Sequence, residues 1–133
     1  MCGIVGLFLK DKSLEPELGA LLSSMLVTMT DRGPDSAGIA IYGDASGNNA
    51  KITIQSANPK KDFAGLEAEL GQAVGAPVAI QVKSTHAVIT LAKDLLDAGK
   101  AAVAELRPNV RIMSSGDAIE IYKETGLPKD VVS

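Results

Sequence analysis

Cys2 is the residue whose type and position could most directly do chemistry. Removal of the initiator methionine, which a small second residue permits, would leave a thiol and a free α-amino group on one residue. An α-amino group has an ordinary pKa of about 7.7–8.0, so it can serve as a base beside the nucleophile near neutral pH. This arrangement suits acyl transfer and needs no catalytic histidine, in a chain with a single His. The competing interpretation is a small buried residue at the start of a strand.

A second candidate is the loop at residues 31–38, with the sequence DRGPDSAG. It places two acids, an arginine and a hydroxyl in a Gly/Pro turn between a predicted helix and a predicted strand. A loop of this composition can hold a network of charges beside an active site. The alternative is an ordinary turn in which Asp31 or Asp35 caps backbone N–H groups and Arg32 is solvated.

The elements that would position these residues follow from periodicity and turn residues. Residues 3–9 are apolar and partly β-branched, which predicts a buried strand directly after Cys2. Apolar residues at helical spacing then predict a helix from its N-cap, Ser13, to about Thr30. A further helix is predicted after a cap at Asp62. The remaining predicted elements are strands at 39–42, 51–55, 77–82, 86–91, 110–113 and 118–122, and a helix at 94–107.

Turn signals predict how neighbouring strands are joined. The loop at 43–49 predicts a hairpin between strands 39–42 and 51–55, and the turn at 114–117 predicts a second hairpin. Hairpins and mixed helices favour an α+β fold over a doubly wound parallel sheet. The tail from Gly126 is more similar to the start of a further element than to a natural end.

Composition excludes several classes of protein and site. With 46% hydrophobic and 22% charged residues, the 133-residue chain has the composition of one globular domain. A net charge of −3 argues against a nucleic-acid partner, and no apolar run reaches the roughly 20 residues that span a membrane. One Cys and one His leave no Cys/His zinc site and no intramolecular disulfide. We therefore expect a cytoplasmic chain with no metal and no cofactor of its own.

Taken together, three segments resemble the class II glutamine amidotransferases, which are N-terminal-nucleophile hydrolases. The segments are MCGIVG at 1–6, MLVTMTDRGPDSAG at 25–38, and EIYKE followed by GLP within 120–128. They are most similar to the small amidotransferase subunit of the glutamate synthase and N-methylglutamate synthase type. The resemblance implies that residues 1–133 are the N-terminal part of one type-2 amidotransferase domain. It also implies an αββα sandwich of antiparallel sheets, incomplete in this chain.

The resemblance implies a reaction and roles for particular residues. The Cys2 thiolate would attack the side-chain amide of glutamine, ammonia would leave protonated by the α-amino group, and water would cleave the thioester to give glutamate. Gly3, Arg32, Gly33 and Asp35 would support the nucleophile, with Arg32 and Gly33 lying beside it. The ammonia would pass to a flavin-dependent glutamate-synthase-like subunit, which is the expected partner.

The sequence departs from the family's pattern in its later parts. It has no Asn-Gly pair for an oxyanion hole, and Thr85-His86-Ala87 lacks the Gly of the glutamine clamp, with Val82 where its Arg would stand. His86 is therefore interpreted as a strand residue. Losing one oxyanion-hole donor costs about 10²–10³ in rate, so these residues alone are expected to be an inactive, truncated glutaminase. The alternatives are a non-catalytic interaction module on the same scaffold and an unrelated small thiol protein.

Overall fold

The fold combines helices with antiparallel strands, as a computed structural model describes it for residues 2–44 and 47–132. The strands are Ser36–Tyr42 (β1), Asn49–Gln55 (β2), Ala79–Lys83 (β3), His86–Ala92 (β4), Arg111–Gly116 (β5) and Ile119–Thr125 (β6). The helices are Leu18–Thr28 (α1), Pro59–Asp62 (α2), Leu66–Val74 (α3), Leu96–Leu106 (α4) and Pro128–Val131 (α5). The predicted α+β class with antiparallel sheets is confirmed, and these elements are compatible with an α+β sandwich. Within the described ranges, no helix is both long enough and apolar enough to cross a bilayer.

The chain divides into two compact units. One contains residues 1–38 and 123–133, and the other contains residues 39–122. β1 and β6 pair with each other in a two-stranded sheet, and each of these strands contributes residues to both units.

The second unit contains a four-stranded antiparallel sheet in the order β3-β4-β2-β5. Side chains alternate along β2, so Ile52 and Ile54 are both buried on the face that packs against the helices. Leu66 and Leu70 of α3 are fully buried against that face, one helical turn apart. The core therefore lies between this sheet and the helices α3 and α4, and its other members are Ala87, Ile89, Leu91, Val103 and Val110.

The two predicted hairpins are wrong. β2 has both of its edges occupied, by β4 on one side and β5 on the other, so β1 pairs with β6 instead. β5 and β6 likewise belong to different sheets. The turn signals were correct about where strands end, but pairing with distant strands decided the topology. Part of the predicted loop at 43–49, residues 45 and 46, lies outside the described residues.

The predicted strand at residues 3–9 is also wrong. All seven residues are described and none is in a strand or a helix. Ile4 is 94% exposed and Phe8 is 86% exposed, so the apolar pattern is not buried. A strand depends on hydrogen bonds from a neighbour, and none of the six strands described here pairs with this segment.

Two helix boundaries differ from the prediction for local reasons. Asp11, rather than Ser13, is the cap: its Oδ1 accepts from the Ser13 backbone N–H at 2.9 Å, which lowers the pKa of Asp11. A 3-10 turn with Pro16 then leads into α1. The helix predicted after a cap at Asp62 begins later, at Leu66, because Gly65 adopts a left-handed conformation with φ +69°, and Asp62 is instead the last residue of α2.

Candidate functional site

The backbone after Cys2 lies against the turn that follows α1. Cys2 itself is exposed. A Cβ added to Gly3 would come within 2.4 Å of Met29 Cε and 3.2 Å of Arg32 Cβ. A side chain at this position therefore requires its neighbours to move, and glycine permits the close approach. The structure brings the predicted residues Gly3 and Arg32 together, in the first unit.

The turn that carries Arg32 is held by its own backbone. Residues 30–32 form a 3-10 turn, in which the Arg32 N–H donates to the Met29 carbonyl at 2.9 Å. The Gly33 N–H then donates to the Thr30 carbonyl at 3.2 Å. Arg32 is exposed and Gly33 is half-buried. This geometry fixes the path of the chain at the point where it contacts Gly3.

Asp35 is tied to a different part of the first unit. Its side chain is exposed, and its backbone carbonyl accepts from the Gly126 N–H at 2.9 Å. This hydrogen bond joins the predicted loop to the segment that follows β6. Of the predicted site residues, Gly3 and Arg32 are in contact, Gly33 follows directly, and Asp35 is bonded to Gly126.

A half-buried cluster around Glu120 in the second unit had no role in the sequence prediction. Glu120 accepts from Lys51 Nζ at 2.8 Å, from the Tyr122 hydroxyl at 2.5 Å and from Lys83 Nζ at 3.5 Å. Only 12% of its side chain is exposed. His86, correctly interpreted as a strand residue, is buried in β4 with its ring edge-on to Tyr122 at 5.3 Å.

The cluster holds Glu120 as a carboxylate. Burial acts to raise the pKa of Glu120, but hydrogen bonds from Lys51 and Tyr122 and the charges of Lys83 and Lys51 outweigh burial and lower it. Burial, with the hydrogen bond to Glu120, raises the pKa of Tyr122. The cluster thus holds a carboxylate between two ammonium groups, and it joins side chains of β2, β3 and β6. A signal for it was the alternation of Glu120 and Tyr122 along one strand, which puts both on one face.

No group of three His, Cys, Asp or Glu side chains within residues 2–44 and 47–132 is arranged to hold a metal ion. Cys2 is the single cysteine of the chain, and it lies in the first unit.

Comparison with known proteins gives the chain a family context. No family model matches it. It is 64% identical over 133 residues to the glutamine amidotransferase-like protein GlxB of Rhizobium meliloti (strain 1021), and it covers 44% of that protein. A relative from Methanothermobacter thermautotrophicus, whose name also refers to a glutamine amidotransferase, is 54% identical over 43 residues, which are 32% of this chain and 14% of the relative. The chain thus spans less than half the length of these relatives, and the matches support the general glutamine amidotransferase family.

Proposed function

We propose that the chain is the N-terminal part of a class II glutamine amidotransferase domain, with Cys2 as its nucleophile. The similarity to proteins named as glutamine amidotransferases supports the substrate, glutamine. The single observation that carries the proposal for Cys2 is the packing of Gly3 against Met29 and Arg32. It gives Gly3, the residue bonded to Cys2, a defined neighbourhood formed by the Met29 side chain and the aliphatic part of Arg32.

The proposed reaction uses both functional groups of Cys2 once Met1 is removed. The α-amino group accepts the thiol proton, and the thiolate attacks the amide carbon of the glutamine side chain. The C–N bond breaks, the amino group returns the proton to the leaving ammonia, and water then cleaves the thioester to give glutamate. Arg32 and Gly33 support the N-terminal segment, and Asp35 holds the loop that carries them.

Two features of the wider proposal come from the resemblance and the composition. The ammonia acceptor is proposed to be a flavin-dependent glutamate-synthase-like subunit. The single cysteine fits a reducing, cytoplasmic setting. Because this sequence contains no Asn-Gly pair, the oxyanion hole is proposed to come from further polypeptide.

A second candidate function is a non-catalytic interaction module. The observations that favour it are the absent Asn-Gly pair and the exposure of Ile4 and Phe8 beside Cys2. Retention of Met1 would leave no free α-amino group on Cys2, which the proposed reaction requires. The state of the N-terminus therefore separates the two functions.

The proposal is tested by glutamine hydrolysis in the longest natural polypeptide that contains this chain, together with the subunits that copurify. Ammonia release is measured for the wild type and for Cys2→Ala, with circular dichroism as a folding control. We expect the wild type to release ammonia and Cys2→Ala to lose this activity. Equal rates in the two proteins would exclude Cys2 as the nucleophile.

A further inference from the structure

The segment after β6 contains a glycine whose conformation other residues rarely adopt. Gly126 has φ +127°, outside the regions that L-residues ordinarily populate. Its N–H donates to the Asp35 carbonyl at 2.9 Å. The next residue, Leu127, leads into α5, whose Pro128 is buried and which contacts α1. The backbone donor of Gly126 is therefore held in place from its C-terminal side.

This hydrogen bond acts on the loop that contacts the N-terminal segment. Asp35 stands three residues after Arg32, and Arg32 Cβ lies 3.2 Å from the position of a Cβ on Gly3. Gly126 is thus linked to Gly3 by a hydrogen bond to Asp35, by the three-residue step along the chain from Asp35 to Arg32, and by the close approach of Arg32 to Gly3, all within one compact unit. Cys2 is bonded directly to the last member.

We propose that Gly126 is a positioning residue for Cys2. Its N–H holds the 32–35 loop, and the loop in turn holds the backbone of Gly3. Backbone hydrogen bonds within residues 29–33 hold the Arg32 end of this loop, and the bond from Gly126 holds its Asp35 end. The inference deepens the proposed function and rests on it, because the position of Cys2 matters only if Cys2 reacts.

The test compares two substitutions that each place a Cβ in open space at a glycine with positive φ. Gly126→Ala places a Cβ in open space but at φ +127°, and Gly75→Ala does the same at φ +71° in the other unit. Both variants carry backbone strain, and Gly126→Ala alone disturbs the donor to Asp35. Two quantities are measured in each protein: hydrogen exchange of residues 31–36, and the rate at which iodoacetamide alkylates Cys2 between pH 6 and pH 9.

We expect Gly126→Ala to raise exchange in residues 31–36 by about tenfold, the effect of losing one hydrogen bond. We also expect the profile of its alkylation rate to differ from that of the wild type, while Gly75→Ala and the wild type share one profile. Faster exchange with an unchanged alkylation profile would overturn the positioning role. Unchanged exchange would show that the bond does not hold the loop and would also overturn the inference.

These outcomes are separable from failure of the proposed function. Ammonia release that survives Cys2→Ala would refute the glutaminase mechanism, whatever the alkylation profiles are. A pH profile that changes in Gly126→Ala, together with that result, would show that Gly126 sets the surroundings of a cysteine that is not the nucleophile.

Discussion

Gly3 and Gly6 stand near each other in the N-terminal segment and differ in their surroundings. A Cβ on Gly3 would meet Met29 and Arg32, whereas a Cβ on Gly6 would have no atom within 4 Å. The Met29 methyl is the end of a flexible side chain and can move, but Arg32 Cβ is next to the backbone. Gly3→Ala is therefore expected to displace the segment that carries Cys2.

Displacement of a nucleophile by about 1 Å can cost about 10²-fold in rate. We therefore predict a loss of that order in ammonia release for Gly3→Ala, and wild-type activity for Gly6→Ala, measured in the complete natural assembly. Activity that falls equally in both variants would indicate a general requirement for glycine, unrelated to the contact with Arg32.

Glu120 is a residue whose contribution to stability depends on pH. Its pKa is lowered in the folded state, so its stabilising effect is present above its unfolded pKa of about 4.3 and is lost as pH falls through the folded value. Glu120→Gln leaves Lys51 and Lys83 with a neutral partner in a half-buried site. We predict a loss of about 1–3 kcal/mol in the free energy of unfolding at pH 7, measured by urea denaturation.

The pH dependence provides the check on this prediction. The difference between Glu120→Gln and the wild type should shrink as the pH falls below about 4, towards the lowered pKa at which the folded wild-type carboxylate is protonated. Glu105→Gln, at an exposed position of α4, serves as the control and should change stability by less than about 0.5 kcal/mol. A constant difference from pH 7 to pH 3 would show that the Glu120 charge does not stabilise the fold.

At the scale of elements, Gly99 determines how closely α4 approaches the sheet. A Cβ there would lie 2.6 Å from Leu91 Cδ1 and 3.3 Å from Ile52 Cδ1, and both side chains are buried. Gly99→Ala gains about 1 kcal/mol of helix propensity but overpacks the core, which costs about 1–3 kcal/mol. We predict a net loss of stability in chemical denaturation.

Gly71 of α3 is the matched control for Gly99. A Cβ at Gly71 would be 3.4 Å from the Ala76 carbonyl, an ordinary contact, so Gly71→Ala should be neutral or stabilising by up to about 1 kcal/mol. If Gly99→Ala stabilised the protein as much as Gly71→Ala, the close contact between α4 and the sheet would be wrong.

Local sequence signals predicted the helices and strands better than they predicted how the strands pair. The apolar run of β4 and the helical spacing of apolar residues in α4 were sufficient to locate both elements. Such patterns depend only on residues close together in the sequence. The partners of β2 lie at residues 86–92 and 111–116, and no turn signal reports such distant pairing. The prediction of a strand at residues 3–9 was wrong for the same reason, since an apolar pattern does not show which strand would pair with it.

The candidate site was predictable to different extents. Cys2 and Arg32 were found from their chemistry and position, and the contact of Gly3 with Arg32 appears only in the structure. The Glu120 cluster depends on side chains from three strands that are far apart in sequence. In the sequence, the members of this cluster have the pattern of ordinary surface residues in strands, and only the position of β6 shows that they lie together.

At the scale of the whole molecule, the two units differ in how much apolar surface they bury. All residues of α1 are described and none of them is buried, whereas the second unit contains a core in which several side chains are fully buried. Local opening needs less free energy where fewer apolar contacts are lost. We predict that amides of residues 2–38 exchange with deuterium before those of residues 49–55 and 86–92, in native-state exchange followed by mass spectrometry. Simultaneous exchange of both sets would mean that the units open as one.

The central claim is that Cys2, as the mature N-terminal residue, is the nucleophile that attacks glutamine. The most direct measurement is intact and peptide mass spectrometry of the complete natural assembly after incubation with an electrophilic norleucine analogue of glutamine. The account predicts that Met1 is absent, that one equivalent of label is attached to Cys2, and that excess glutamine prevents labelling. Retained Met1, or label on another residue while Cys2 stays unmodified, would contradict it.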